Sequence, residues 1–430
     1  MKSNLIIIYL FTLSFIFGQE TNIFTLCEGN FGFSNSSLWS FDDSFEDVSG
    51  PIHWNQNSSP LGDVGQSLTI HNQKLFIIMN NSHTIEVMSL ETSPPTYERT
   101  ISLPNASPRY LTVADEKGYI SAWNLNALIV IDLNNMEIID TIQVNGIPEM
   151  IINYQNNLYI SIPNKSDWSS NNKILKVDQF THMVVDSFSV APGPSSMTLM
   201  DSTLYIACSS YDNDWNQYIA TSSVNLVTNE VKIYDAGLSS NYGSDIFNYQ
   251  GNVYQVFDGG VVLLNNDLSP DIDSKLGNYG SLYSASAYGE YLYLGISDYT
   301  APDTVLVLNS SGIIVQDYIV GAIPGAFGFS IQNQLKIDES TFLPTVSSLK
   351  SYPNPFNPVT NIEISITGID PVRLYIVNIQ GQIIEEIPVS IFKKGIHNIS
   401  WNASSLSTGL YFAVFEQGNN TAVKKLSLIK

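Results

Sequence analysis

The chain has 430 residues, enough for two or three domains, with a formal net charge of −22 and only two cysteines. The acidity excludes nucleic acid and anionic lipid headgroups as partners, because like charges repel at the surface. Two cysteines exclude a disulfide framework.

In chain order, residues 1–18 read as a secretory signal. Lys2 supplies the positive start, an apolar run follows over residues 5–17, and Gly18-Gln19 offers a cleavage point. The run is too short to cross a bilayer, which takes about 20 residues. No other run approaches that length, so no membrane span is expected in the mature protein. Leu26, ahead of Cys27, is not the small residue that a lipid-anchored cysteine needs.

Residues 19–338 carry a recurring unit of 40 to 48 residues. It consists of an apolar-alternating strand, a tight polar turn, a second strand rich in Leu, Tyr and Ile, a loop, and two further strands. Six starts fall at residues 68–78, 111–121, 150–160, 197–206, 245–255 and 285–294, and their turns carry Asn, Asp or Gly. Third strands follow at 84–90, 127–133, 173–177 and 304–308, and fourth strands at 99–103, 138–144, 184–190 and 313–320. A seventh start at 326–331 lacks its companions, while 23–27 and 37–41 match a second and third strand without a first. Four strands per unit at this period predict an all-β fold, a seven-bladed β-propeller whose last blade joins one C-terminal strand to three N-terminal ones. That closure removes the exposed edge. Cys27 and Cys208 then occupy equivalent places in blades far apart on the ring, beyond the roughly 7 Å that a disulfide allows. Both are expected to be free and buried.

The two ends of such a ring are unequally furnished. The turns between first and second strands are plain, as in residues 71–74, 114–117 and 154–157. The second-to-third-strand loops and the blade connections are rich: Phe31 and Phe33, Trp123, Asp167-Trp168, Tyr211 to Trp215, Asp258, Asp298-Tyr299, with Arg109-Tyr110, Tyr242 and Tyr279 on the connections. Function concentrates on loops held by a rigid scaffold, and Tyr and Trp offer large amphipathic contact area at little entropic cost. Phe31, Phe33, Arg109, Trp123, Asp167, Trp168, Tyr211, Trp215 and Tyr299 are therefore the candidate ligand-binding residues, suited to a flat polar ligand.

No catalytic constellation stands out. His53, His71, His83, His182 and His397 share no short-range motif, and no G-x-S-x-G elbow occurs. Asp212 and Asp214 alternate as oxygen ligands for calcium, but the EF-hand glycine and closing Glu are missing. Glu149, Asp245 and Asp115 are too scattered in the repeat alignment to form a carboxylate cage at a channel mouth. Carboxylates from different blades can nevertheless meet in space, so a glycosidase-type pair stays open.

After a linker at 339–350, residues 351–430 alternate as strands of a small immunoglobulin-like sandwich. They open on Pro353-Asn354-Pro355, turn at Gly381, reach Gly409 in a Ser-Thr-Gly-Leu-Tyr-Phe strand start, and end on Lys-Leu-Ser-Leu-Ile-Lys. This stretch differs in charge from the rest of the chain. Residues 345–430 hold seven Lys/Arg and five Asp/Glu, which leaves 35 acids and 11 bases for the remainder.

Those landmarks resemble the type A sorting domain of the type IX (Por) secretion system. The resemblance implies that the secretion machinery is a partner and that the protein reaches the outer surface of a Gram-negative cell. The propeller resembles YncE-like, surface-layer-type seven-bladed proteins of the Bacteroidetes group. The resemblance rests on residues 26–32 (Leu-Cys-Glu-Gly-Asn-Phe-Gly), on 37–42 (Ser-Leu-Trp-Ser-Phe-Asp) and on repeated Leu-Tyr-Ile and Val-Ile-Asp-Leu units. Some relatives of that kind capture corrinoids and are lipoproteins; this chain has a sorting tail instead. The expectation is a non-enzymatic surface protein without cofactor that binds a glycan, a peptide or a corrinoid-like ligand. The alternatives are an extracellular lactonase, lyase or quinoprotein-like dehydrogenase, or a surface-layer or adhesion component.

Overall fold

Alternation of β-branched and aromatic residues with polar ones builds strands, and a computed structural model shows how they assemble. It describes residues 20–42, 45, 48–239, 245–332, 349–366, 372–387, 395–417 and 420–430. The leader at 1–18, most of the 339–350 linker and Tyr242 lie outside them. The chain divides into two units, Met1–Gln334 and Leu335–Lys430.

Among the described residues the first unit contains seven four-stranded antiparallel sheets. Blade 1 is built from both ends: Pro324–Gln332 pairs with Glu20–Cys27, which pairs with Ser37–Asp42 and then Val48–Ser49. The other six sheets run in sequence order, with first strands Gly65–His71 (blade 2), Pro108–Ala114 (blade 3), Ile151–Tyr154 (blade 4), Pro194–Met200 (blade 5), Ile246–Tyr249 (blade 6) and Leu282–Tyr288 (blade 7). These first strands neighbour one another in blade order, and those of blades 7 and 2 both flank Pro324–Gln332.

The core is accordingly divided into layers between blades. Phe76 and Ile78 of blade 2 pack on Leu111 and Ile120 of blade 3. Phe24 and Leu26 of blade 1 pack on Leu75 and Ile77 of blade 2, while Ile23 and Phe41 of blade 1 meet Tyr293 and Val305 of blade 7. Each such buried side chain contributes about 1.5–3 kcal/mol. The thinnest layer lies between blades 5 and 6, where Ala207 meets Ile246 and Val253. Outer strands such as Thr96–Ser102 and Glu137–Gln143 bury a single residue each and carry charge, which discourages edge pairing with other chains.

First strands have one edge without a partner strand, and side chains of the neighbouring blade donate to carbonyls along it. Ser67 Oγ donates to the Arg109 carbonyl at 2.6 Å, Thr69 Oγ1 to Leu111 at 2.7 Å, Thr112 Oγ1 to Ile151 at 2.6 Å and Asn248 Nδ2 to Leu199 at 2.8 Å. The hairpins at the plain end use left-handed backbone at both central residues, Asn72-Gln73 and Asp115-Glu116, as primed turns require. Cys27 and Cys208 are free and buried in the layers between blades 7 and 1 and between blades 4 and 5. Burial pushes both thiols up to about 12.

The second unit is a sandwich of a three-stranded and a four-stranded sheet around Phe356, Ile362, Leu374, Trp401, Phe415 and Leu426. Its opening motif is pinned to the last strand, Asn420–Leu428. Asn354 Nδ2 donates to the Lys425 carbonyl at 2.6 Å, its Oδ1 accepts the Ser427 N–H at 2.9 Å, and Phe356 N donates to Ser427 at 3.0 Å. Gly381 supplies the left-handed corner of a turn at φ 77, and Gly409 begins the strand Gly409–Gln417.

Candidate functional site

Antiparallel order places the second-to-third-strand loops at the same end as the starts of the first strands, so the rich loops surround one mouth of the central channel. Five of these seven loops carry aromatic candidates. Phe31, Phe33, Trp168, Tyr211, Trp215 and Tyr299 are all exposed. The Phe31–Phe33 loop is held by Gly32 N, which donates to both oxygens of Asp63 at 3.1 and 3.0 Å, and by Asn30 Nδ2, which donates to the Tyr299 carbonyl at 2.9 Å.

The two tryptophans sit in a turn whose backbone asks for glycine. In residues 165–169, Trp168 N donates to Lys165 O at 2.8 Å and Lys165 N to Ser169 O at 2.8 Å. Residues 212–216 repeat the pattern at 3.1 Å for both bonds. The same turn recurs at 309–313 and 378–382, where the corner residues are Gly312 and Gly381 at φ 74 and 77, and at 265–269, where the corner is Leu268 at φ 71, a buried side chain. Trp168 and Trp215 take that corner at φ 66 and 64, a region where a side chain costs about 1–2 kcal/mol. They are 56% and 83% exposed, so core packing does not account for Trp at either place.

The acidic candidates in these turns serve the turns. Asp167 Oδ1 accepts Ser169 Oγ at 2.6 Å and Ser169 N at 3.0 Å, and these bonds lower its pKa. Asp212 Oδ1 accepts the Asp214 and Asn216 N–H groups, and its Oδ2 accepts Asn216 Nδ2, all at 2.9 Å. The side-chain bond from Asn216 is the main reason that its pKa falls. Among the described residues no group of three or more His, Cys, Asp or Glu is placed to hold a metal ion.

Arg109 and Trp123 lie deeper than their sequence positions suggested. The Arg109 guanidinium forms a forked ion pair with Glu149: Nη2 to Oε1 at 2.6 Å, Nε to both oxygens at 3.1 Å, and a further bond from Nη1 to Gln66 Oε1. The two side chains are 16% and 8% exposed. Trp123 lies flat on the guanidinium, 3.9 Å from its ring centroid, and donates from Nε1 to Glu149 Oε2 at 2.8 Å. Burial pulls the Arg109 pKa down, but the charge and hydrogen bonds of Glu149 more than restore it, and the net direction is up.

Two further carboxylates complete the mouth: Glu28, which the sequence did not single out, and Asp245, which it set aside as too scattered. Glu28, directly after Glu20–Cys27, accepts Tyr283 Oη at 3.0 Å. Asp245, directly before Ile246–Tyr249, accepts the Ala285 N–H at 2.8 Å through Oδ2. Burial pushes Glu28 up to about 7 and Asp245 up to about 6. The charges of Asp245 and Glu149 raise Glu28 further, while the Tyr283 bond and Arg109 oppose the shift. Below lies a cavity of 410 Å³ lined by the first strands of all seven blades, including Gln66, Tyr110, Asp245 and Gly325. Glu149 and Asp245 both act on Glu28 and Tyr110 at the mouth, but among the described residues they form no metal-holding group, and Asp115 is exposed in a hairpin at the far end. Two relays join the outer rings to these carboxylates. Trp168 meets Trp123 edge to face at 5.4 Å, above Glu149. Tyr299 meets Tyr283 edge to face at 5.9 Å, above Glu28.

Against known proteins, the family model described as a domain of unknown function (DUF5074) matches residues 21–244, more than half of the chain. The chain belongs to this family. Residues 350–430 match the secretion system C-terminal sorting domain. The protein is thus a partner of the type IX secretion machinery, which delivers it to the cell surface or the extracellular space. No curated protein matches the chain.

Solved structures share the fold at low identity. A putative 6-phosphogluconolactonase from Bacteroides uniformis ATCC 8492 is 12% identical at TM-score 0.54, over 73% of this chain and 100% of that one. Kuenenia stuttgartiensis hydrazine synthase is 14% identical at 0.51, over 61% and 88%. A functionally unknown protein from Desulfotomaculum acetoxidans DSM 771 is 13% identical at 0.51, over 72% and 98%. Identities this low carry the fold and no activity. Among the described residues no helix is long and apolar enough to cross a membrane.

Proposed function

We propose that this secreted propeller binds a flat, polar ligand, such as a glycan, a peptide or a corrinoid-like molecule, across the mouth ringed by Trp168, Tyr211, Trp215 and Tyr299. The observation that carries this reading is the pair of exposed tryptophans in left-handed turn corners where glycine is unstrained. A bulky aromatic ring that burial rewards little, as at Trp215, or only in part, as at Trp168, is left free to contact a ligand from outside. Screening the full chain against glycan, peptide and corrinoid panels, beside the Trp168→Ala/Trp215→Ala double variant, tests it. Hits lost in the variant support the face, and hits retained at full affinity refute it.

A second reading, an extracellular hydrolase, draws on Glu28 and Asp245. Carboxyls pushed up to about 7 and 6 beside a cavity are in the range for general acid–base work. The lactonase-like neighbour makes a 6-phosphogluconolactone hydrolysis assay the natural first test. Turnover abolished by Glu28→Gln would establish this reading, and no turnover would remove it.

A further inference from the structure

The channel mouth is unbalanced in charge. Among the described residues Glu28, Glu149 and Asp245 face one cation, Arg109, and that cation is already committed to Glu149 and Gln66. Half-buried Asp245 lines the cavity; its Oδ2 takes the Ala285 N–H, and its Oδ1 meets no donor among the described residues. Glu28 likewise has one oxygen engaged by Tyr283, and the other meets no donor among the described residues. It lies over bare backbone, since a Cβ at Gly325, itself in the cavity wall, would fall 2.7 Å from Glu28 Cγ. Leaving carboxylate oxygens short of donors in such a place is costly, because a half-enclosed anion loses water that only a donor or a counter-ion replaces.

We infer that the mouth of the channel is a subsite for an organic cation, an ammonium or guanidinium group, which inserts between Glu28 and Asp245 while the body of the ligand rests on the aromatic rim. This rests on the ligand-binding reading above and assigns the chemistry at its centre. An organic cation fits better than a metal ion. The described carboxylates do not converge as a metal cage, and the fixed guanidinium of Arg109 next to Glu149 repels a compact divalent charge. A protonated amine instead brings two or three directed N–H donors, matching one open oxygen on each carboxylate.

The groups facing the site define its pH response. Around Glu28 they are Tyr283, Arg109, Asp245 and Glu149. Asp245 has the Ala285 amide against it, and Tyr110, whose phenol burial also raises, lies within its electrostatic reach. None of these supplies a second cation. Burial holds the Glu28 and Asp245 carboxyls above their ordinary range, and an arriving cation favours their ionised forms. Affinity rises as pH rises through the interval between their two values, while the amine stays protonated until well above it.

The test uses the full chain, calorimetry, and two flat probes that differ in charge, benzylammonium and benzyl alcohol, at about pH 8 and about pH 5. Benzylammonium binds at the higher pH and weakens at the lower, and benzyl alcohol does not bind. Glu28→Gln and Asp245→Asn each weaken benzylammonium roughly tenfold and flatten the pH response. Both are isosteric, and an unchanged far-ultraviolet circular dichroism spectrum certifies the fold. Equal binding of the alcohol, no binding of the amine, or unchanged affinity in both carboxylate variants overturns the inference. Loss in Trp168→Ala/Trp215→Ala with no loss in the carboxylate variants leaves the aromatic face standing and removes this subsite. Loss only in the carboxylate variants does the reverse.

Discussion

Replacing Trp215 or Trp168 by Gly and by Ala separates backbone strain from side-chain packing. A Trp side chain offers about 250 Å² for burial. At 83% exposure Trp215 buries about a sixth of that, worth roughly 1 kcal/mol at about 25 cal/mol per Å². At 56% exposure Trp168 buries nearly half, worth roughly 2.5–3 kcal/mol, part of it in the edge-to-face contact with Trp123. Both are upper values, since a denatured chain already buries some surface. Alanine keeps the left-handed corner and forfeits the packing, whereas glycine forfeits the packing and relieves about 1 kcal/mol of strain. Trp215→Gly is therefore close to wild type and Trp215→Ala about 1 kcal/mol below it. Trp168→Ala falls by roughly 3 kcal/mol and Trp168→Gly by roughly 2. Guanidinium unfolding of the full chain, followed by far-ultraviolet circular dichroism, reads these as midpoint shifts at constant slope. Gly variants no more stable than their Ala counterparts would refute the strain argument.

Three further outcomes are expected. Glu149→Gln removes the partner of a buried guanidinium and lowers stability by about 3 kcal/mol, whereas Arg109→Met/Glu149→Leu together cost far less; additive single effects in a double-mutant cycle would show that the forked pair is not coupled. Glu28 and Asp245 have folded-state values raised from 4.5 and 3.8 to about 7 and about 6. The stability they contribute is full below the unfolded values and is lost as pH rises through the folded ones. The propeller thus melts higher near pH 5 than near pH 8, by an amount on the order of a few kcal/mol, and Glu28→Gln/Asp245→Asn flattens that slope in calorimetry. Asn354→Ala forfeits the bonds to Lys425 and Ser427, and the freed groups cost about 1–3 kcal/mol; hydrogen exchange over residues 350–430 of the full chain speeds up while the propeller is unchanged, and unaltered exchange there would show that the motif is not held by its asparagine.

The blades were legible in the sequence because a strand needs only local information. Period-two alternation set the strands, Asn, Asp and Gly marked the turns, and the orphan strands at 23–27, 37–41 and 326–331 pointed to a sheet shared by the chain ends. The exposed rim was legible for the same reason, since the repeat register assigns a loop to one end of the ring before any contact is known. The mouth was not. Glu28 ends a second strand, Glu149 and Asp245 precede first strands, and Arg109 lies within one, so no spacing along the chain links them. Only the ring brings these four positions, drawn from separate blades, around one axis. Burial then decides their chemistry: it converts Arg109 from a surface contact into the partner of Glu149 and raises Glu28 and Asp245 towards neutrality. The left-handed corners under Trp168 and Trp215 were equally invisible, because a hairpin's backbone angles are set by how its two strands pair and twist. Sequence by itself determined which segments form strands and which end of the ring carries the aromatics. Tertiary structure alone decided which charges meet and how far from water they sit, because electrostatic strength depends on distance and enclosure.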